Sequence, residues 1–466
     1  MLKKYDVAII GSGPGGYVSA IRLRQLDKSV CVIDTSEERL GGVCLNEGCI
    51  PLKSLINSAK FFYAISKAKG YGIEAIVKPP DIKKIVSCSK DAASQLRNSL
   101  KGLFKRYGIE FIVGKAKIIS KNRLNVKLGN GKDEDLEASK IIIATGSSHK
   151  IPRNIKIDGE AVMTSSEAIN LTKIPKTLLI IGAGAVGVEF CSMFTSFGTK
   201  VTLVEMMPNI LPSEDEEISK TLMKIFKKRG IDTFVNTKAK ELNKKNSSVE
   251  VVLEIGGIER KMEFESVLIA TGRKPNTDGI GLENVGIKME DGFIVTNDRM
   301  RTNIDNIYAV GDVLNTPMYA HVAYIEGIVA AEDIAGLKIE KIDYSNVPTV
   351  IFSDPEVASV GLTESKAKEL KYEIAISRHF FKANGLAVAT RCEEGFIKII
   401  ADKKTHNILG VHIIGDDATE ILHEFIVARN SKLTIDDIAK TVHAHPTFSE
   451  IAQDAAKAVF GKPIHG

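Results

Sequence analysis

The stretch YDVAIIGSGPGGYVSAIRLRQLDKSVCVID, residues 5–34, recurs at 177–205 as TLLIIGAGAVGVEFCSMFTSFGTKVTLVE. A constant offset of 171 carries Gly11 onto Gly182 and Asp34 onto Glu205. In each copy an apolar run meets glycines and then gives way to helical apolar spacing, so each reads as strand, glycine turn, helix and strand. The chain holds a duplicated βαβ unit. The first glycine of each copy (Gly11, Gly182) permits a tight turn. The second (Gly13, Gly184) lets the backbone approach a pyrophosphate, and the third (Gly16, Gly187) lets helix pack on strand. The helix N-terminus then offers N–H groups to the phosphates. Asp34 and Glu205 each lie 23 residues beyond the first glycine, placed to accept a hydrogen bond from a ribose 2′-hydroxyl. Two dinucleotides are expected. MMPNILP, which follows Glu205, lacks the arginines that a 2′-phosphate needs, and this points to NAD rather than NADP at the second site.

The repeat extends beyond the turns, because IIIATGSS (141–148) and VLIATGRKPN (267–276) close the two halves alike. NIYAVGDV (306–313) is an apolar strand ending in Gly311 and Asp312, where an acid can meet a polyol hydroxyl or merely cap the next helix. From Pro348 the pattern changes to strands EIAISRHFF, GFIKIIAD and ILGVHIIG followed by helical segments. The fold class is therefore α/β: two Rossmann-like dinucleotide-binding domains, 1–150 and 151–275, a central segment 276–346 returning to the first, and a C-terminal α+β domain, 347–466.

A chain of 466 residues buries ample core without disulfides, and six scattered cysteines suit a reducing compartment. The formal charge of +5 is spread among interspersed lysines and glutamates, so neither nucleic acid nor an anionic membrane is an expected partner. No apolar run reaches the roughly 18 residues of a membrane span. MLKKYDVAIIGSG runs straight into a strand pattern without a targeting segment, which suggests the cytoplasm, or the mitochondrial matrix for a mature organelle form.

GGVCLNEGCIPLKSL (41–55) places Cys44 and Cys49 five positions apart. On a regular helix five residues turn about 500°, leaving the side chains about 140° apart, so pairing requires a distorted backbone. Gly48 and Pro51 supply the distortion. A reducible disulfide, a metal site shared with His443 and His445 of HAHPTFSE, and two packed thiols are the competing readings. A dithiol in a chain with two dinucleotide sites has a use, since electrons can pass from thiols to a nicotinamide. His445, with Glu450 five residues on to hold one ring nitrogen, is a candidate base for a thiol.

Together these motifs resemble the FAD- and disulfide-dependent pyridine nucleotide oxidoreductases, from Tyr5 to about Phe460. GPGGYVSAI looks like the lipoyl branch. Glutathione-type members usually carry a basic residue where this chain has Ile21, and mercuric reductases end in paired cysteines where it ends GKPIHG. The resemblance implies FAD in 1–150 with a Cys44–Cys49 redox disulfide, NAD in 151–275, and dimerisation through 347–466. It makes Cys44 the interchange thiol and Cys49 the flavin-side thiol. Lys53 then lies near flavin N5, paired with Glu189 beside the nicotinamide. His445 becomes the base and Glu450 its orienter, reaching the disulfide of the neighbouring subunit. Asp312 binds the ribityl chain; Ala320 and His321 lie along the flavin; Ala116, Thr145, Gly146 and Ser147 add FAD contacts, as Ala239 and Gly272 do for NAD. The implied reaction is oxidation of protein-bound dihydrolipoamide to lipoamide with NAD as acceptor. The implied partners are a second copy and a lipoyl-bearing acyltransferase core of 2-oxo acid dehydrogenase complexes, or the lipoyl carrier of glycine cleavage. A glutathione- or mercuric-type reductase, a non-catalytic flavoprotein and a zinc-stapled assembly subunit are the alternatives. The chain departs from the usual pattern at Glu47 and Leu52, and at Tyr324 and Ile325 where charged residues are commoner.

Overall fold

The computed structural model describes residues 2–461 and 463–465. Two compact units emerge, the first comprising Met1–Leu55, Lys83–Lys150 and Gly272–Tyr344, the second Ile56–Ile82, Ile151–Thr271 and Ser345–Gly466.

In the first unit β1 (Lys3–Ile10), α1 (Pro14–Gln25) and β2 (Val30–Asp34) form the first βαβ copy. The helix α2 (Gly42–Glu47) is followed at once by α3 (Cys49–Ser66), and later by α4 (Ile82–Tyr107). Strands β3 (Glu110–Ser120), β4 (Arg123–Leu128) and β5 (Asp133–Ile143) complete the sheet with strand Ile307–Ala309. β1 pairs parallel with β2 on one side and β5 on the other, while β4 runs antiparallel between β3 and β5. Val7–Ile10, Val30–Ile33 and Ile141–Ile143 are buried on both faces, which is why they read as continuous apolar runs. Their shared register brings Gly11, Asp34 and Ala144 to one edge, the carboxyl ends of the strands where α/β sheets bind ligands.

The second unit repeats the plan: strands Asp232–Phe234, Lys200–Val204, Thr177–Ile181, Ser266–Ile269 and Val162–Met163 lie parallel in that order. It also holds a five-stranded antiparallel sheet, in the order Thr349–Ile351, Glu356–Gly361, Ile408–Gly415, Phe396–Asp402, Ile374–Phe380. Two of these strands, Thr349–Ile351 and Glu356–Gly361, were not distinguished in the sequence pattern. Helices Ala418–Asn430 and Glu450–Ala458 pack apolar faces into the core beneath this sheet. The fold class is thus as expected: α/β with two Rossmann-like sheets and an α+β portion. Among the described residues no helix is long and apolar enough to cross a membrane.

A charged knot joins the sheets of this unit. Lys398, 1% exposed, donates to Asp215 at 2.8 Å and lies 2.9 Å from Glu217 and 2.7 Å from Glu364. Asp215 also caps helix Glu216–Lys228 by accepting the Glu217 N–H. Breaking one partner of such a buried network costs about 3–5 kcal/mol, because the remaining charge is stranded. Next to it Glu214 is buried with one carboxylate oxygen lacking a partner among the described residues. Burial pushes its carboxyl up to about 7, with the Asp215 charge adding to the rise and the Ser359 hydroxyl opposing it. The native state therefore holds a proton that the unfolded chain has released, and stability falls as pH rises between the ordinary carboxyl value and about 7. Glu214→Gln should flatten this dependence. Thermal unfolding is expected to show the variant more stable than wild type at pH 8, by up to on the order of 3 kcal/mol, with the gain gone near pH 5.

Candidate active site

The two glycine turns are built alike. Gly11 and Gly182 have φ of +104° and +102°, and a Cβ on either would collide with a carbonyl oxygen, of Ala144 or Ala270. A Cβ on Gly16 or Gly187 would collide with the carbonyl of that first glycine, so the helix can pack this closely only without a side chain. At Gly184 an added Cβ meets nothing within 4 Å, and at Gly13 only Gly42 at 3.7 Å. Both are helix N-caps with no side-chain cap, leaving backbone N–H groups facing open space. Such a cradle fits a pyrophosphate. Asp34 accepts the Ser12 N–H at 2.9 Å, and Glu205 accepts the equivalent Ala183 N–H at 2.7 Å.

Beside the first cradle Asp312 accepts a hydrogen bond from Ser147 Oγ. Arg273 donates to Ser147 Oγ and O, both at 2.6 Å, with its Nε 3.9 Å from Asp312. Burial lowers the Arg273 value, and the charges of Asp312, Cys49 and Glu47 oppose that. Thr145 and Asn276 exchange hydrogen bonds, and Gly146 accepts the Asn276 N–H. Ala116 is buried on β3; Ala320 opens helix Ala320–Ile334, on which His321 stacks against Tyr319 at 5.2 Å.

The dithiol sits where two helices fail to join. α2 stops at Gly48, whose φ of −141° and ψ of −112° leave the helical region, and α3 restarts at Cys49. Pro51 falls in the first turn of α3, where a missing N–H costs nothing. The break cancels the 140° separation. The Cys44 and Cys49 side chains are hydrogen-bonded to each other. That contact holds the Cys44 thiol far above its ordinary value, burial adds, and Lys53 opposes. α4 braces both ends of the break: Arg97 donates to Asn46 Oδ1 at 2.7 Å, Asn46 Nδ2 donates to Gly42 O and Leu40 O, and Ser89 donates to Pro51 O. Tyr17 and Tyr324 pack edge to face at 5.9 Å within the electrostatic reach of Cys44.

In the second unit His445 Nδ1 lies 2.9 Å from Glu450 Oε1, and the Thr447 N–H binds the other oxygen at 2.9 Å. Burial would raise the Glu450 carboxyl, but the Thr447 N–H and the His445 ring hold it low. The His445 side chain is 76% exposed, with Nδ1 occupied by Glu450.

Residues 5–327 match the pyridine nucleotide-disulphide oxidoreductase family, and 347–456 match its dimerisation domain. The chain belongs to the pyridine nucleotide-disulphide oxidoreductases. Enzymes named dihydrolipoyl dehydrogenase from Zymomonas mobilis and Bacillus subtilis are 37% and 38% identical over the whole of both chains. A mitochondrial one from Pisum sativum is 38% identical over 99% of this chain and 92% of its own. Among solved structures, LpdA of Mycobacterium tuberculosis superposes with a TM-score of 0.90 at 26% identity, covering 98% of this chain and 99% of that one. The HOCl-induced flavoprotein disulfide reductase RclA of Escherichia coli superposes at 0.89 and 28%, with the same coverage.

As a family member the chain uses FAD and NAD. Of the residues expected on the NAD side, Glu189 is 4% exposed and accepts the Phe352 N–H at 3.0 Å. Ala239 lies beside a bulge in strand Thr237–Lys244, and Gly272 (φ +99°) accepts the Lys150 N–H. Sequence reading missed Arg273, Asn276, Arg97 and Glu326, whose carboxylate accepts the Gly311 N–H at 2.6 Å. Arg273 and Asn276 stood inside the quoted ATGRKPN, a signal that could have been used; Arg97 left none. Among the described residues no group of three or more His, Cys, Asp or Glu is placed to hold a metal ion. Because Gly182 is strained for any other residue, Gly182→Ala should weaken NAD binding by about 10- to 100-fold, with flavin absorbance retained; equilibrium titration measures the first and a spectrum the second.

Proposed function

We propose that the protein oxidises protein-bound dihydrolipoamide to lipoamide, with NAD as the final acceptor. The observation carrying this reading is the Cys44–Cys49 pair brought together across the Gly48 break, in a chain similar over its full length to dihydrolipoyl dehydrogenases. When bound, FAD supplies the redox centre through which the two electrons of the dithiol reach NAD.

The rest is the work of this chain's side chains. His445 Nε2 takes the proton of one substrate thiol while Glu450 fixes the ring through Nδ1. The resulting thiolate attacks the sulfur of Cys44 in the oxidised pair, breaking the Cys44–Cys49 bond, forming a mixed disulfide and releasing Cys49 as thiolate. The second substrate thiol displaces Cys44, its proton passing to the departing Cys44 sulfur, which closes the lipoamide ring and leaves Cys44 as thiol, Cys49 as thiolate and His445 protonated. Two electrons and two protons have then left the substrate. Lys53 offsets the negative charge that collects on the dithiol. His445 serves the dithiol of a second copy, consistent with its exposure and with the matched dimerisation domain. The substrate dithiol arrives on another chain, a lipoyl-bearing acyltransferase core or the glycine cleavage carrier. The proposed location is the cytoplasm, with the mitochondrial matrix as alternative.

Cys44→Ser should reduce turnover with dihydrolipoamide and NAD to below about a thousandth of wild type, without loss of flavin. A wild-type enzyme that reduces glutathione disulfide but ignores lipoamide would replace the substrate assignment. Neither Cys44→Ser nor His445→Gln homodimers should turn over, whereas dimers reassembled from an equal mixture should recover about a quarter of wild-type activity, since half are mixed and each holds one complete site. No recovery would place His445 with its own chain's thiols.

A further inference from the structure

Glu47 lies between the two cysteines, at one of the positions where the chain departs from the usual family pattern. It sits three positions from Cys44 on α2, hence on the same helical face. Its Cα lies at most about 7 Å from that of Cys49, two residues on across Gly48. Arg273 feels the charges of both Glu47 and Cys49, so the carboxylate and the thiol lie within electrostatic reach of one guanidinium. The Arg39 guanidinium approaches Glu47 at 3.9 Å, but the two side chains are 46% and 43% exposed. An exposed pair at that separation is well solvated and contributes little. Arg39 is also drawn to Asp34, 3.6 Å away.

A second carboxylate, Asp312, also acts on the Arg273 guanidinium, and the other groups around the dithiol are of opposite or no charge. Lys53 comes from α3, Arg273 from strand Arg273–Pro275, and the neutral hydroxyls of Tyr17 and Tyr324 from α1 and helix Ala320–Ile334. Lys53 and Arg273 favour a thiolate at Cys49; a carboxylate opposes it.

On the reading of the dithiol given above, we infer that Glu47 is a positioning charge acting through Cys49, setting the pH at which the reduced pair acquires its flavin-side thiolate. The consequence is a reduced dithiol that stays protonated at Cys49 to higher pH than the same loop would with an uncharged residue at 47.

The test uses the FAD-loaded protein, reduced anaerobically with dihydrolipoamide, and follows the long-wavelength thiolate-to-flavin absorbance band against pH. In Glu47→Gln the midpoint of that band should fall by about half a pH unit at low ionic strength, from a unit charge at roughly 8 Å in a solvent-rich site. The shift should shrink as salt is raised from about 10 mM to about 0.5 M, because the screening length contracts below the separation. Glu47→Asp, which keeps the charge, should titrate with wild type. A structural disturbance would produce neither the screening nor the rescue. A Glu47→Gln midpoint coincident with wild type at low salt, or a Glu47→Asp midpoint shifted equally, overturns this inference and leaves the proposed reaction standing. A wild-type enzyme whose bound flavin develops no band overturns both.

Discussion

Each nucleotide turn is tied shut by the carboxylate at the end of the following strand. Asp34 reaches back to the Ser12 N–H, and Glu205 to the Ala183 N–H, the residue after the first glycine in each case. That bond fixes a turn whose leading glycine sits at a φ near +100°, and it holds the helix N-terminus in place below the open cradle. The remaining oxygens accept the N–H groups of Thr35 and Met207, so each acid is oriented before any ribose arrives. One carboxylate thus couples the two strands and the helix of its unit, which explains why the acid and the glycines moved together when the unit was duplicated. The rest of each unit depends on that tie, since the parallel strands present their carboxyl ends to a cradle that would otherwise splay.

The dithiol obeys the opposite rule, since it needs helix and also needs the helix to fail. An uninterrupted helix from Cys44 to Cys49, about 1.4 turns, would point the sulfurs apart. The interruption at Gly48 exposes backbone that α4 repairs, through Arg97 to Asn46 on one side and Ser89 to Pro51 O on the other. A Cβ at position 48 would press on the Val43 carbonyl at 3.0 Å, so a larger residue at the break would need that carbonyl to give by a few tenths of an ångström. Leu52, one of the departures from the family pattern, is 5% exposed and serves the packing of α3 rather than the thiols.

What the sequence makes legible follows from range. The glycine turns, the two thiols and the His445–Glu450 pair are made by residues within about one or two helical turns of one another, so the sequence displays them together, although the pairing of the thiols takes the context of the dinucleotide motifs to suggest. Arg273 acts on Ser147, 126 positions away, and Lys398 on Asp215, 183 away. Neither pairing leaves a periodic trace, because it exists only once the sheets have formed. Glu214 is the extreme case: a glutamate in a charged stretch reads as surface, yet the neighbouring sheet covers it. The two short strands at 349–361 escaped for a related reason, as Pro348 and Pro355 punctuate them and mask their alternation.

Divergence between the two copies separates their ligands. Beside Asp34 stands Arg39, 3.6 Å away, in a loop that continues into the redox helix. Beside Glu205 the corresponding rim is methionine: Met206 is 63% exposed and Met207 46%. Glu205 itself is 8% exposed, and both its oxygens are engaged by backbone N–H groups. A 2′-phosphate would have to lie against that carboxylate on an apolar rim, desolvated on one side and repelled on the other. A 2′-hydroxyl instead donates to a lone pair still open on the same carboxylate, and the methionines offer an adenine a polarizable surface. If the acid that closes the turn is also the group that selects NAD, as proposed, relaxing that choice would require loosening the turn on which the second unit is built.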